Sequence, residues 1–189
     1  MRRNDIYSLT RIALFAALTS VLAFVSVPLP FSPVPVTAQS FGPMLAGLLL
    51  RPREAMLSQL LYVLIGAAGL PVFAGGASGF AVLAGATGGY LSGFVVGAGV
   101  TSILALLPQR HATPRRLGPA WLVLACLAGG VVVVYGLGVS QLALVTGLTP
   151  TKAIVAGALP FIPGDVLKAC IAGLVGWRLR FSLAGRTGL

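Results

Sequence analysis

PGDVLKACIAGLVGW, residues 163–177, decides how the chain is read. It is apolar except for Asp165 and Lys168, which stand three residues apart and therefore on one face of a helix. The whole sequence has 3 acidic residues and two lysines, and this stretch holds one of each. A charge placed in hydrocarbon costs a few kcal/mol even on insertion scales, so a charge pair inside an apolar helix marks a functional site by default.

The rest of the chain agrees with a membrane setting. Of its 189 residues, 57% are hydrophobic and 8% charged, and mean hydropathy is +0.99. A soluble domain carries roughly 25% charged residues. The net charge of +10 would suggest nucleic acid in a soluble protein, but the basic residues lie between long apolar runs, where they act as topology signals. No nucleic-acid partner is expected. Cys126 and Cys170 each sit in an apolar run without Cys or His at ligand spacing, so neither a disulfide framework nor a metal site is expected. His111, in the basic stretch 108–119, has no partner at metal spacing either.

Punctuation by Pro, Gly and Arg divides the chain into six apolar stretches, at 9–27, 38–50, 54–70, 85–107, 120–146 and 161–178. In a bilayer each must satisfy its backbone internally, which predicts helices: an all-α polytopic membrane protein with six transmembrane helices in a single domain over 1–189. The first stretch is nearly 20 residues long and lacks a small-x-small cleavage site, so it reads as a retained helix rather than a secretory signal. The second, at ~1.5 Å per residue, reaches only ~20 Å, too short for a ~30 Å core, and is expected to begin as irregular chain buried in protein.

Arginine placement gives the orientation. Arg2, Arg3 and Arg11 accompany the first stretch; Arg51 and Arg53 follow the second; Arg110, Arg115 and Arg116 follow the fourth; Arg178, Arg180 and Arg186 follow the sixth. All fall on one side, which the positive-inside rule makes cytoplasmic, with both termini there. The opposite connections, 28–37, 71–84 and 147–162, are rich in Pro, Gly and aromatic residues and nearly free of charge, as loops that cover a pocket can be.

Pro163 suits the first position of the last helix, which places Asp165 in its first turn and Lys168 about 7 Å below its outer end. Read without function, the two form an intrahelical ion pair. A pair kept only for stability in a dry interior is a poor return on desolvation, however. Acting separately, Lys168 supplies a cation for an anionic group and Asp165 an acceptor for N–H donors. That suits a mostly apolar molecule with a carboxylate at one end and a urea or amide at the other. Thr37 and Gln39 add polar atoms, and Phe41, Tyr90 and Phe161 add flat apolar walls. Thr and Gln also serve as interhelical glue, and aromatics as interface anchors. Gly85, Gly89, Gly93 and Gly97 recur every fourth residue and predict close helix packing. For Gly88 and Gly89, packing and backbone approach to a ligand both stand.

Four passages, VPVTAQSF (34–41), GLPVF (69–73), GATGGYLSGF (85–94) and LPFIPGDVLKA (159–169), together with six spans, resemble BioY, the biotin-binding S-component of energy-coupling factor (ECF) vitamin transporters. The resemblance covers essentially the whole chain. Two departures stand out: Ala86 where the family commonly has Pro, and the stretch GGASGF (75–80), which lacks an Asn associated with ring contacts in some members. The resemblance implies a six-helix fold in the cell membrane that captures biotin from outside. It implies that Lys168 engages the valerate carboxylate and Asp165 the ureido ring, while Thr37, Gln39, Phe41, Gly88, Gly89 and Tyr90 shape the pocket. It also implies a transmembrane coupling protein (T-component) and two ATP-binding subunits as partners, docking through small residues of the first helix. Ala13 and Ala17, spaced A-x-x-x-A, provide such a face.

The chain carries no G-x-x-x-x-G-K-[ST] loop for nucleotide, so energy must come from partners. The alternative is a self-sufficient carrier of biotin or another small carboxylate vitamin, with or without oligomerisation. An enzyme is not expected: one intramembrane carboxylate without a second acid, a catalytic His or a metal cluster is a poor acid–base set. No cofactor is called for.

Overall fold

In the computed structural model, residues 3–107 and 118–187 are described, with side chains from 5 to 180 within those segments. Arg2, Arg110, His111, Arg115 and Arg116 lie outside them, as does the side chain of Arg186. The elements in order are α1 (Arg3–Phe24), a hairpin of β1 (Ser26–Leu29) and β2 (Ser32–Thr37), α2 (Phe41–Leu49), α3 (Pro52–Ala67), a 3-10 turn (Ala74–Gly76), α4 (Phe80–Ala84), α5 (Gly88–Leu106), α6 (Pro119–Leu127), a π-helical segment (Ala128–Val133), α7 (Val134–Thr146), α8 (Pro150–Gly157) and α9 (Ile162–Thr187).

Each of the six apolar stretches contains helix. Among the described residues three helices are long and apolar enough to cross a membrane outright: Asp5–Phe24, Gly88–Leu106 and the continuous Pro119–Thr146. A fourth results if α8 and α9, bent 54° from each other, count as one broken span. The outward faces carry bare apolar side chains, including Leu14, Val21, Val132 and Leu144, the last 84% exposed. An apolar belt on that scale is matched to lipid and not to water. The chain is an integral membrane protein.

α2, at nine residues, is as short as expected, and it is surrounded: residues 42–48 are all buried. It packs on α5, α9 and α1. The glycine stripe works as a packing seam. A Cβ on Gly97 would come within 2.4 Å of Gly129 O, and one on Gly93 within 2.9 Å of Val134 Cα, so α5 meets the α6–α7 rod backbone to backbone. Gly85 stands outside the stripe, because α5 begins only at Gly88.

The three nearly uncharged connections differ from the loops expected. Residues 26–37 form an antiparallel hairpin with a bulge between Val27 and Leu29. Its prolines are tolerated because a two-stranded sheet has only edge strands, where an N–H can be dispensed with. The second connection contains a 3-10 turn and α4, and the third contains α8, which Pro150 opens at a position where its missing N–H costs nothing.

Polar ties hold the opposite end of the bundle. Arg180 donates from Nε to Leu48 O at 2.7 Å and from Nη1 to Ala105 O at 3.2 Å, and its Nη2 also reaches Leu48 O. These carbonyls belong to the last turns of α2 and α5, which have no partners within their own helices, and a cation there also complements the helix dipoles. Ser8 donates to Glu54 at 2.8 Å, and Arg11 lies 3.8 Å from the same carboxylate, joining α1 to α3.

Candidate binding site

At the hairpin end the elements enclose a cavity of about 320 Å³, within the range of small-molecule sites. β2 contributes residues 33–37, the approach to α2 gives Gln39 and Ser40, and the segment after α3 gives Phe73, Ala74 and Ala77. Tyr90, Leu91 and Phe94 come from α5, Val134 and Tyr135 from α7, Phe161 from the turn just before α9, and Asp165 and Lys168 from the start of α9. The walls are chiefly apolar, and the charged groups gather where α9 faces the end of β2.

Here Asp165 and Lys168 are joined by an ion pair, Nζ to Oδ1 at 2.6 Å, the arrangement an intrahelical pair predicts. It is not an isolated pair. Lys168 Nζ also donates to Thr37 O at 2.5 Å and to Ser40 Oγ at 3.1 Å. An ammonium has three protons, and these three acceptors take all of them. Ser40 Oγ in turn donates to Asp165 Oδ1 at 2.8 Å, and the Tyr135 hydroxyl donates to Asp165 Oδ2. Both charges are thus compensated and hydrogen-bonded, which makes their burial tolerable. An incoming carboxylate would exchange with one of the acceptors on Lys168. Thr37 O and Ser40 Oγ are the neutral members of the set, the ones an anion displaces without separating the ion pair.

Tyr90 turns its polar tip away from this network. Its hydroxyl donates to Gly157 O at 2.7 Å, and its ring is seated where a Cβ on Gly138 would come within 2.4 Å of it. The ring stands edge-on to Tyr135, centroids 6.1 Å apart. What Tyr90 offers the cavity is aromatic surface. The Gln39 amide donates to the Tyr62 hydroxyl at 2.6 Å.

Of the residues singled out in the sequence, the fold brings Thr37, Gln39, Tyr90, Phe161, Asp165 and Lys168 to one cavity. Phe41, Gly88 and Gly89 do not line it. Phe41 packs against the core cluster built around Met44 and Leu48, one turn deeper. A Cβ on Gly88 would come within 1.8 Å of Leu83 O, and one on Gly89 within 2.4 Å of Leu137 O, so these glycines serve close packing, the first of the two readings open to them. Ser40 and Tyr135 were missed. The signal was present, a serine beside Gln39 and a phenol in mid-span, but their meeting with Asp165 spans 125 and 30 residues of sequence. Ala13 and Ala17 are both exposed on α1, far in role from the cavity-lining segments.

Residues 1–185 match the model of the BioY family. The chain belongs to the BioY family. A Rhizobium etli relative named biotin transporter BioY is 44% identical over 165 residues, covering 87% of this chain and 88% of the relative. The biotin transporter BioY of Thermotoga maritima is 39% identical, covering 91% and 95%. Among solved structures, the S-component for biotin from an ECF-type ABC transporter superposes with a TM-score of 0.86 at 27% identity, covering 95% of this chain and 94% of that one. BioY proteins are transport proteins and not enzymes.

Proposed function

We propose that this BioY-family protein is the substrate-binding membrane subunit of a biotin uptake system, which captures biotin from the outer side of the plasma membrane and delivers it with an ATP-driven ECF module. The observation that carries this reading is the combination of one ammonium and one carboxylate on a single wall of an otherwise apolar cavity. Biotin has a carboxylate at the end of an aliphatic chain and a ureido ring at the other end. Lys168 takes the carboxylate, Asp165 accepts ureido N–H, and Tyr90 and Phe161 pack on the apolar body. The names of the relatives and of the structural neighbour support the same ligand and module. The partners are a T-component, which docks on α1 at Ala13 and Ala17, and two ATP-binding subunits.

Calorimetry of the purified protein tests the ligand. Biotin binds, biotin amide binds at least about 30-fold more weakly because it brings no anion to Lys168, and thiamine gives no heat. Equal affinity for biotin and its amide would remove the role given to Lys168, and the absence of any biotin binding would remove the reading itself.

The proposed topology has six crossings with both termini cytoplasmic, so that the hairpin end faces outward. With Cys126 and Cys170 replaced, a single cysteine at position 112 or 183 reacts with impermeant reagent only from the cytoplasmic side, and one at 149 only from outside. Labelling of position 112 from outside would reverse the orientation and put the cavity on the wrong face.

A further inference from the structure

The Gln39 side chain lies against the cavity, yet the group that determines what it presents there, Tyr62, does not line the cavity. Tyr62 sits on α3, fully buried, its ring held edge-on by Phe73 with centroids 5.6 Å apart. Its hydroxyl lies 3.1 Å from Val72 O. A carbonyl oxygen can only accept, so the single phenolic proton is committed to Val72. Toward Gln39, 2.6 Å away on its other side, the phenol oxygen can then only accept. That settles the orientation of an amide whose two ends are otherwise interchangeable in shape. Nε2 must face Tyr62, and Oε1 is left over. Among the described residues none donates to Gln39 Oε1.

We infer that Tyr62 is a specificity-determining positioning residue: by fixing the Gln39 amide it presents a hydrogen-bond acceptor to the cavity and selects a ligand carrying an N–H at that point. The inference rests on the biotin reading for the identity of that donor. At neutral pH biotin has two donors, both ureido N–H groups, so one of them meets Gln39 Oε1. The relay Val72 O, Tyr62 O–H, Gln39 N–H fixes the polarity of the site from outside it, much as a tautomer is fixed by the far nitrogen of a histidine. A site with a fixed acceptor rejects an analogue that brings an acceptor to the same place, because neither lone pair then finds a proton.

The test uses biotin and the two cyclic carbamate analogues in which one or the other ureido N–H is replaced by oxygen, titrated calorimetrically into the native protein, Tyr62→Phe, Gln39→Met and the double variant. The ratio of Kd values for two ligands on one preparation cancels any inactive fraction, so partial misfolding does not enter. For the native protein, one analogue is disfavoured relative to biotin by about 5- to 150-fold more than loss of a solvent-facing donor would give. In Tyr62→Phe the amide is free to turn its NH2 inward, and that discrimination falls at least about 5-fold. Gln39→Met lowers it as well, and adding Tyr62→Phe to Gln39→Met changes it no further, since the tyrosine acts only through the glutamine. If Tyr62→Phe weakens biotin and both analogues by one common factor, or if its effect on discrimination adds to that of Gln39→Met, Tyr62 is structural and the inference falls. If the native protein binds no biotin, the ligand is wrong, and the inference falls with that reading instead.

Discussion

Lys168→Ala is expected to weaken biotin binding by about 30-fold to several-thousand-fold, while Lys152→Ala leaves it within about 2-fold of native. Removing one partner of a desolvated, hydrogen-bonded charge pair costs ~2 to 5 kcal/mol, and each ~1.4 kcal/mol is a decade in Kd. Lys152 is exposed on α8 and its charge is screened by water. Part of the Lys168 effect arises without ligand: the alanine variant leaves Asp165 with only Ser40 and Tyr135 as donors. A ligand series separates the two contributions. Biotin amide, which has no carboxylate, loses little further affinity in Lys168→Ala if the ammonium and the carboxylate meet in the complex. Independent and additive losses mean that they do not. Asp165→Asn weakens biotin as well, since the amide presents a donor where the carboxylate accepted, and the negative charge beside Lys168 is lost.

Replacing Ala13 and Ala17 together by leucine is expected to abolish co-purification with the coupling protein and energised uptake, while biotin affinity in detergent stays within about 2-fold. Residues four apart share a helix face, and small ones let a second helix approach closely. Both alanines are exposed, whereas α1 turns Ile12, Phe15, Ala16, Thr19 and Ala23 inward, so added bulk meets nothing within this chain. Wild-type co-purification by the double variant would place docking elsewhere. A parallel loss of biotin binding and uptake would mean that the substitutions disturb the bundle itself.

What the sequence revealed was decided by range. Apolar runs and their punctuation place helices at the six stretches because each helix satisfies its own backbone locally. The last helix begins within a residue of the position that Pro163 marks, since the proline signal is local too. The hairpin was not legible, because its four prolines argue against strands unless one knows that both strands are edges. The same limit appears at the site. Asp165 and Lys168 announce themselves by charge in an apolar setting, whereas Ser40 and Tyr135 are ordinary residues of a membrane helix bundle until α2, α7 and α9 converge. Phe41 looked like a pocket wall because it is a flat aromatic close to Gln39. It instead belongs to the deeper cluster, because the chain turns into helix there and a one-residue step swings the side chain by about 100°.

The contact between Arg180 and Leu48 has a consequence for how the protein is made. The two residues are separated by 132 positions, and α2, whose last-turn carbonyl at Leu48 accepts from Arg180, has nearly every residue buried, by α1 made before it and by α5 and α9 made after it. As the chain leaves the ribosome, α2 is therefore a short apolar segment with an unsatisfied end and only α1 to pack against, too short to span the bilayer alone. Its surroundings are complete only when α5 and then α9 have been made. The last helix thus closes the packing around α2. A chain interrupted before residue 180 lacks the side chain that takes up the Leu48 carbonyl, which leaves α2 with an unsatisfied buried end.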